Sequence, residues 1–166
     1  LGPVQAQEFV RQTADDITDK NEFIADVVSP RVNAAKAVTT DPFSIPAVVP
    51  MDYVLQNTDG VTAERFAAGD TVDLTVIARN VLGNYDEVYF KLRMAEDFDQ
   101  AVEIIEDSVW KGNLVAGQSF HIEKFRFKVK KINYGLTFFR VDVFGRDDYH
   151  DFFLLPYTTG RDLTTF

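Results

Sequence analysis

From Thr71 onward the apolar positions recur every second residue. Val72, Leu74, Val76 and Ala78 share one parity across Thr71–Arg79, and Val88, Phe90, Leu92 and Met94 do so across Glu87–Met94. A period of two is the mark of a strand with one buried face. The intervening N-V-L-G-N-Y-D has the composition of a hairpin-like connection. A short apolar run follows at Val102–Ile105, then a strand at Ser108–Leu114 and a turn V-A-G-Q-S. Ser119–Lys130 is the longest strand. Phe120 and Ile122 hold one parity in it, while Phe125, Phe127 and Val129 hold the other. That flip predicts a bulge or bend near Glu123–Lys124. Leu136 and Phe138 against Phe139, Val141 and Val143 predict a second break, after an Asn133-Tyr134-Gly135 turn. The last run, D-F-F-L-L-P-Y at 151–157, carries Pro156, which places it at a sheet edge or strand end.

Seven or eight short strands with turns between them, and no βαβ rhythm, predict an antiparallel β-sandwich over residues 51–157. Upstream the period changes. Phe9, Val10, Ala14, Ile17, Ile24, Val27 and Val28 approximate one helical face. They predict an amphipathic helical arm over residues 7–29, with helix from 7 to 28 and an end before Pro30. Residues 30–50 hold four of the six prolines and read as an extended connector, with Phe43, Ile45 and Val48 tucked against the body. Residues 158–166 form a C-terminal tail.

Composition sharpens this picture. The chain has 166 residues, enough for one domain and an arm, and twelve of its fifteen Phe lie from Phe66 onward, where the core must be. The net charge of -9 disfavours nucleic acid and anionic lipid. No apolar run is long enough to span a bilayer as a helix. Zero cysteine excludes disulfides, thiol catalysis and Cys-bound zinc, and two His exclude a His-rich metal site within one chain. Val4 and Ala6 occupy the -3 and -1 positions of a small-residue cleavage site, so residues 1–6 read as a signal-peptide remnant or a scar. The signal-peptide reading, with the absence of cysteine, leads to an expected location outside the cytoplasm: extracellular, at the cell surface or in the periplasm.

Candidate chemistry is sparse. Asp147, Asp148 and Asp151 flank His150 in R-D-D-Y-H-D and form a candidate Ca²⁺ site, the one cofactor the chain suggests; Asp97 and Asp99 make a second acidic loop. No nucleophile elbow, phosphate loop, dinucleotide fingerprint or zinc-protease motif occurs, so a non-enzymatic role is expected. Lys124, Arg126, Lys128 and Lys130 alternate with Phe125, Phe127 and Val129. They present either a cationic face for an acidic partner or charges that keep a strand from aggregating. Phe9, Ile17 and Ile24 on the arm, with Phe152 and Phe153 on the last strand, are candidate contacts to other copies of the chain or to other envelope proteins. Trp110, Tyr85 and Tyr89 are candidate platforms for glycan stacking.

The segment A-A-G-D-T-V-D-L-T-V-I-A-R-N at 67–80 resembles the opening of bacterial and archaeal cell-surface immunoglobulin-like modules of the CARDB and DUF11 kind. V-W-K-G-N-L-V-A-G-Q-S-F at 109–120 and G-L-T-F-F-R-V-D-V at 135–143 are similar to their later strands. The resemblance spans about residues 61–147. Gly69 and Gly117 match turn glycines, Asn80 a strand end, and Trp110 a position on the sandwich. The N-V-L-G-N-Y-D connection is longer than the usual turn, and the arm has no counterpart. The resemblance implies an immunoglobulin-like sandwich serving structure, adhesion or assembly, including filaments or lattices.

Overall fold

The computed structural model describes residues 1–15, 17, 31–62, 66–95, 101–131 and 137–157. Two helices, α1 (Pro3–Gln12) and α2 (Ala34–Thr39), precede eight strands. These are β1 (Val48–Asn57), β2 (Thr71–Asn80), β3 (Tyr85–Met94), β4 (Val102–Glu106), β5 (Ser108–Leu114), β6 (Ser119–Val129), β7 (Thr137–Phe144) and β8 (His150–Tyr157). One sheet has the order β1-β2-β6-β4 and the other β5-β3-β7-β8, with every pairing antiparallel. The orders β1-β2-β6 and β3-β7-β8 are the A-B-E and C-F-G orders of an immunoglobulin-type sandwich. Asp107 alone separates β4 from β5, so the chain steps there from the edge of one sheet to the edge of the other. At the opposite side the Tyr53 hydroxyl of β1 donates to the Pro156 carbonyl of β8 at 2.6 Å.

The inner faces are those the period-two pattern selects. Val72, Leu74, Val76, Val88, Phe90, Leu92, Val141 and Val143 are all buried. Phe127 and Phe139 meet at 4.9 Å between ring centres, and Tyr157 packs edge-on against Phe127. Aromatic rings of this size supply much of the buried apolar area that a disulfide-free sandwich needs.

The parity flip in β6 is a bulge at the expected place. Leu74 pairs with Phe125 and Val76 with Ile122, so Thr75 faces both Glu123 and Lys124. Lys124 takes φ +74° there, and Ile122 and Phe125 both remain buried despite opposite parity. The second expected break is absent from the described part of β7, which pairs regularly with β8 from Thr137 to Phe144. Phe138 simply faces outward while Phe139, Val141 and Val143 face in.

The arm and connector differ from expectation. Helix α1 starts at Pro3, whose fixed φ suits a first turn, so residues 3–6 are helical. It ends at Gln12: the Thr13 N–H and hydroxyl both go to the Phe9 carbonyl. Asp15 then exchanges two backbone hydrogen bonds with Arg31, at 2.8 and 2.9 Å, which a helix running to residue 28 would forbid. Residues 16 and 18–30, Ile24 among them, lie outside the described residues, as does the tail 158–166. The connector is not uniformly extended. Asn33 caps the Lys36 N–H and starts α2 in the proline-free stretch before Pro42, and β1 already begins at Val48. Phe43 is exposed rather than tucked in, while Val48 is buried.

The connector is held by backbone bonds from the Val81 N–H to the Ala47 carbonyl at 2.9 Å and from the Gly83 N–H to the Ile45 carbonyl at 2.8 Å, and by one buried amide. Asn80 Oδ1 accepts from the Ala47 N–H at 3.1 Å, and its Nδ2 donates to the Gly83 carbonyl at 2.7 Å. Its backbone bonds Gln118 and Gly117 in the β5–β6 turn. Gly83 is required because a Cβ there would fall 2.0 Å from the Phe43 carbonyl oxygen.

Two measurements check these assignments by urea unfolding. Asn80→Ala strands two backbone groups and is expected to cost about 2–4 kcal/mol. Lys124→Gly relieves a left-handed conformation and is expected to stabilise by about 0.5–1 kcal/mol.

Candidate functional site

Strand alternation decides the fate of R-D-D-Y-H-D. Asp147 and Asp148 sit in the exposed β7–β8 turn at φ +54° and +57°. His150 opens β8 facing outward, so Asp151 faces the opposite way and is buried. There Asp151 accepts from both terminal nitrogens of Arg11, from Gln12 Nε2 and from the Phe152 N–H. Burial, reinforced by this carboxylate, pushes the Tyr149 hydroxyl well above its ordinary range, so it stays protonated and approaches Asp151 at 3.4 Å. Asp151 therefore does not join Asp147, Asp148 and His150 around an ion; its oxygens hold the arm. No group of three or more metal-ligating side chains converges among the described residues. Asp97 and Asp99 lie outside the described residues.

The same contacts relocate Phe9. It is buried against Ala47, Val81 and Leu82, a cluster separate from the sandwich core, and Gln5 Nε2 donates to the Val81 carbonyl at 3.0 Å. The amphipathic face of the arm docks on its own body, where Phe9 is buried. Ile17 is half-buried and engaged.

Two of the four cations of the basic stripe pair with acids of the same sheet. Arg126 makes a two-pronged bond to Asp73 of β2, at 2.6 and 2.9 Å, and reaches Glu106 of β4 at 3.3 Å. Lys130 lies 3.6 Å from Glu103, and Lys128 stands in register with Glu103 as well. Lys124 occupies the bulge. Arg126 and Lys130 are thus paired with acids of the neighbouring strands. Each exposed pair contributes little to stability, about 0–1 kcal/mol.

The outer face of the other sheet is of a different kind. In register across its four strands run Trp110 of β5, Tyr89 of β3, Phe144 of β7 and His150 of β8. Tyr89 stacks on Phe144 at 4.8 Å and 16°, and Phe144 on His150 at 4.8 Å and 13°. Ring spacing matches strand spacing, so three rings form a rigid ladder with one face of Tyr89 turned towards Trp110. Trp110 is 67% exposed, the most exposed aromatic among the described residues. Tyr85 is not part of this row: it packs on Tyr149 and donates to the Arg146 carbonyl. Beside the row, Asp142 is buried on the outward parity of β7. It accepts from Arg93, Arg140 and His150 at 2.9, 2.8 and 3.1 Å. Arg140 also lies over the Phe152 ring at 3.7 Å, whereas Phe153 points into the core. The sequence signal for this cluster was the outward parity of F-x-R-x-D-x-F at 138–144.

The four edge strands are unequally protected. On β8 the Phe152 N–H is taken by Asp151, Pro156 has no N–H, and its carbonyl is taken by Tyr53. On β1 there is Pro50, a bulge between Pro50 and Asp52, an Asp52 cap on the Tyr53 N–H and a Gln56–Thr62 bridge. β4 is five residues long and bulged. These are standard defences of an edge. β5 is seven residues long and its register against β3 shifts twice; it carries Trp110, with Ile105 and Val115 exposed nearby in sequence.

Asp142 makes a pH prediction. Burial pushes its carboxyl up, but bonds from His150, Arg93 and Arg140 outweigh this and hold it below the ordinary carboxylate range. Its contribution is complete above the unfolded value of about 4 and is lost as pH falls towards the lower folded value. Asp142→Asn is expected to cost about 1–3 kcal/mol at neutral pH. It should also flatten the acid limb of stability against pH; an unchanged acid limb in urea titrations would remove the assignment.

Neither a scan against protein-family models nor a search of curated proteins finds a match to this chain.

Proposed function

We propose that this protein is a non-enzymatic structural or adhesion module of the cell exterior that works through protein contacts. The contact surface is the outer face of the β5-β3-β7-β8 sheet together with its β5 edge. The observation that carries the reading is Trp110: a large, exposed side chain with no ring or hydrogen-bond partner among the described residues, on an edge strand. Exposed aromatics of this kind anchor interfaces, and an open edge can accept a strand from a partner. The resemblance of residues 61–147 to CARDB- and DUF11-type surface modules favours export to the surface, periplasm or medium.

A second reading rests on the ladder itself. The open face of Tyr89 beside Trp110, backed by Phe144 and His150, suits the apolar face of a pyranose. In this reading the module binds glycan.

One probe tests both, because Trp110 is the only tryptophan. Protein contact predicts that its emission moves to shorter wavelength as protein concentration rises or an envelope extract is added. Glycan binding predicts the same shift in dilute protein on titration with oligosaccharides. Trp110→Ala leaves the fold intact and abolishes either association in sedimentation velocity. Emission that stays that of solvated indole throughout sinks both readings.

A further inference from the structure

We propose that the socket holding α1 also accepts α1 from a second copy, so that chains assemble by exchanging their N-terminal helices. This rests on the contact-based function above and names one partner for it, the protein's own helix.

The socket is built for a specific side-chain pair. Phe9 fills the floor of Ala47, Val81 and Leu82, and Arg11 places both terminal nitrogens on Asp151. Asp151 is buried, and a buried carboxylate without its cation is strongly unfavourable. The socket therefore demands a guanidinium, but none of these contacts depends on which copy supplies it. Charge complementarity selects the partner: Arg11 meets Asp151 beside the acidic turn of Asp147 and Asp148.

Docking at home leaves the arm half satisfied. Leu1, Val4 and Val10 on and beside α1 stay exposed, as do Val32, Val38 and Phe43 of the connector. These are six of the thirteen exposed large apolar side chains among the described residues, all in the first 43 positions. The stretch 16–30 links α1 to the connector, and a chain of that length reaches at most about 50 Å. Exchange preserves every socket contact and re-forms the Asp15–Arg31 bridge between chains. The balance between closed monomer and exchanged dimer is then set mainly by concentration.

Reversing the charge pair in two full-length chains tests the exchange. Arg11→Asp has a faulty helix and a sound socket; Asp151→Arg has the converse. Both are made in a Trp110→Ala background, which removes association through the sheet face and keeps the two proposals separable. Each variant alone is expected as a monomer, and an equimolar mixture is expected to shift to the mass of two chains in native mass spectrometry. The double variant R11D/D151R should return to the docked monomer. A mixture that remains two monomers overturns the proposal. Should Asp151→Arg fail to fold, the cysteine-free sequence allows a second measurement. Gln5→Cys with Val81→Cys, oxidised, yields covalent dimers that increase with concentration if helices exchange. Monomer alone at every concentration overturns the proposal.

Discussion

The buried amide of Asn80 is the constraint from which the rest of the end architecture follows. It ends β2, so its side chain would be left among unpaired backbone groups were it not shared between Ala47 and Gly83. Those two bonds bring the connector and the β2–β3 loop together, and its own backbone adds the β5–β6 turn. With the backbone bonds from the Val81 N–H to the Ala47 carbonyl and from the Gly83 N–H to the Ile45 carbonyl, the three loops become one floor. Ala47, Val81 and Leu82 then stand side by side and receive Phe9. The position of the arm is thus decided by hydrogen-bond satisfaction in the body, because an unsatisfied buried amide costs more than most single contacts contribute.

The two outer faces of the sandwich have separated into different roles. One carries Asp73, Arg126, Glu106, Glu103 and Lys130 in alternating charge, which is well solvated and presents no sustained field. The other carries a ladder of rings and a buried carboxylate held by two guanidiniums and an imidazole. Both faces use cross-strand pairs as the unit of stabilisation. The second carries Trp110, the most exposed aromatic among the described residues, on its edge strand.

Period two made the sandwich readable. The inward residues of β2, β3 and β6 follow from alternation, and the bulge at Glu123–Lys124 follows from the one place where alternation must reverse. Pro156 marked an edge correctly, for want of an N–H. The helix was less legible. Its apolar spacing runs on past Thr13, but nothing local announces that Asp15 will find Arg31. The connector's prolines drew attention from the A-A-K-A-V-T stretch that Asn33 caps.

Alternation and composition, which are properties of neighbouring residues, settle the class of fold, its core and the absence of disulfides. They cannot settle which outward residues meet, since that depends on register between strands far apart in the chain. Trp110, Tyr89, Phe144 and His150 form one row only because three separate pairings align them. Asp151 turned from a metal candidate into the anchor of Arg11 because successive residues of a strand face opposite ways, and the buried side belonged to a helix about 140 positions away.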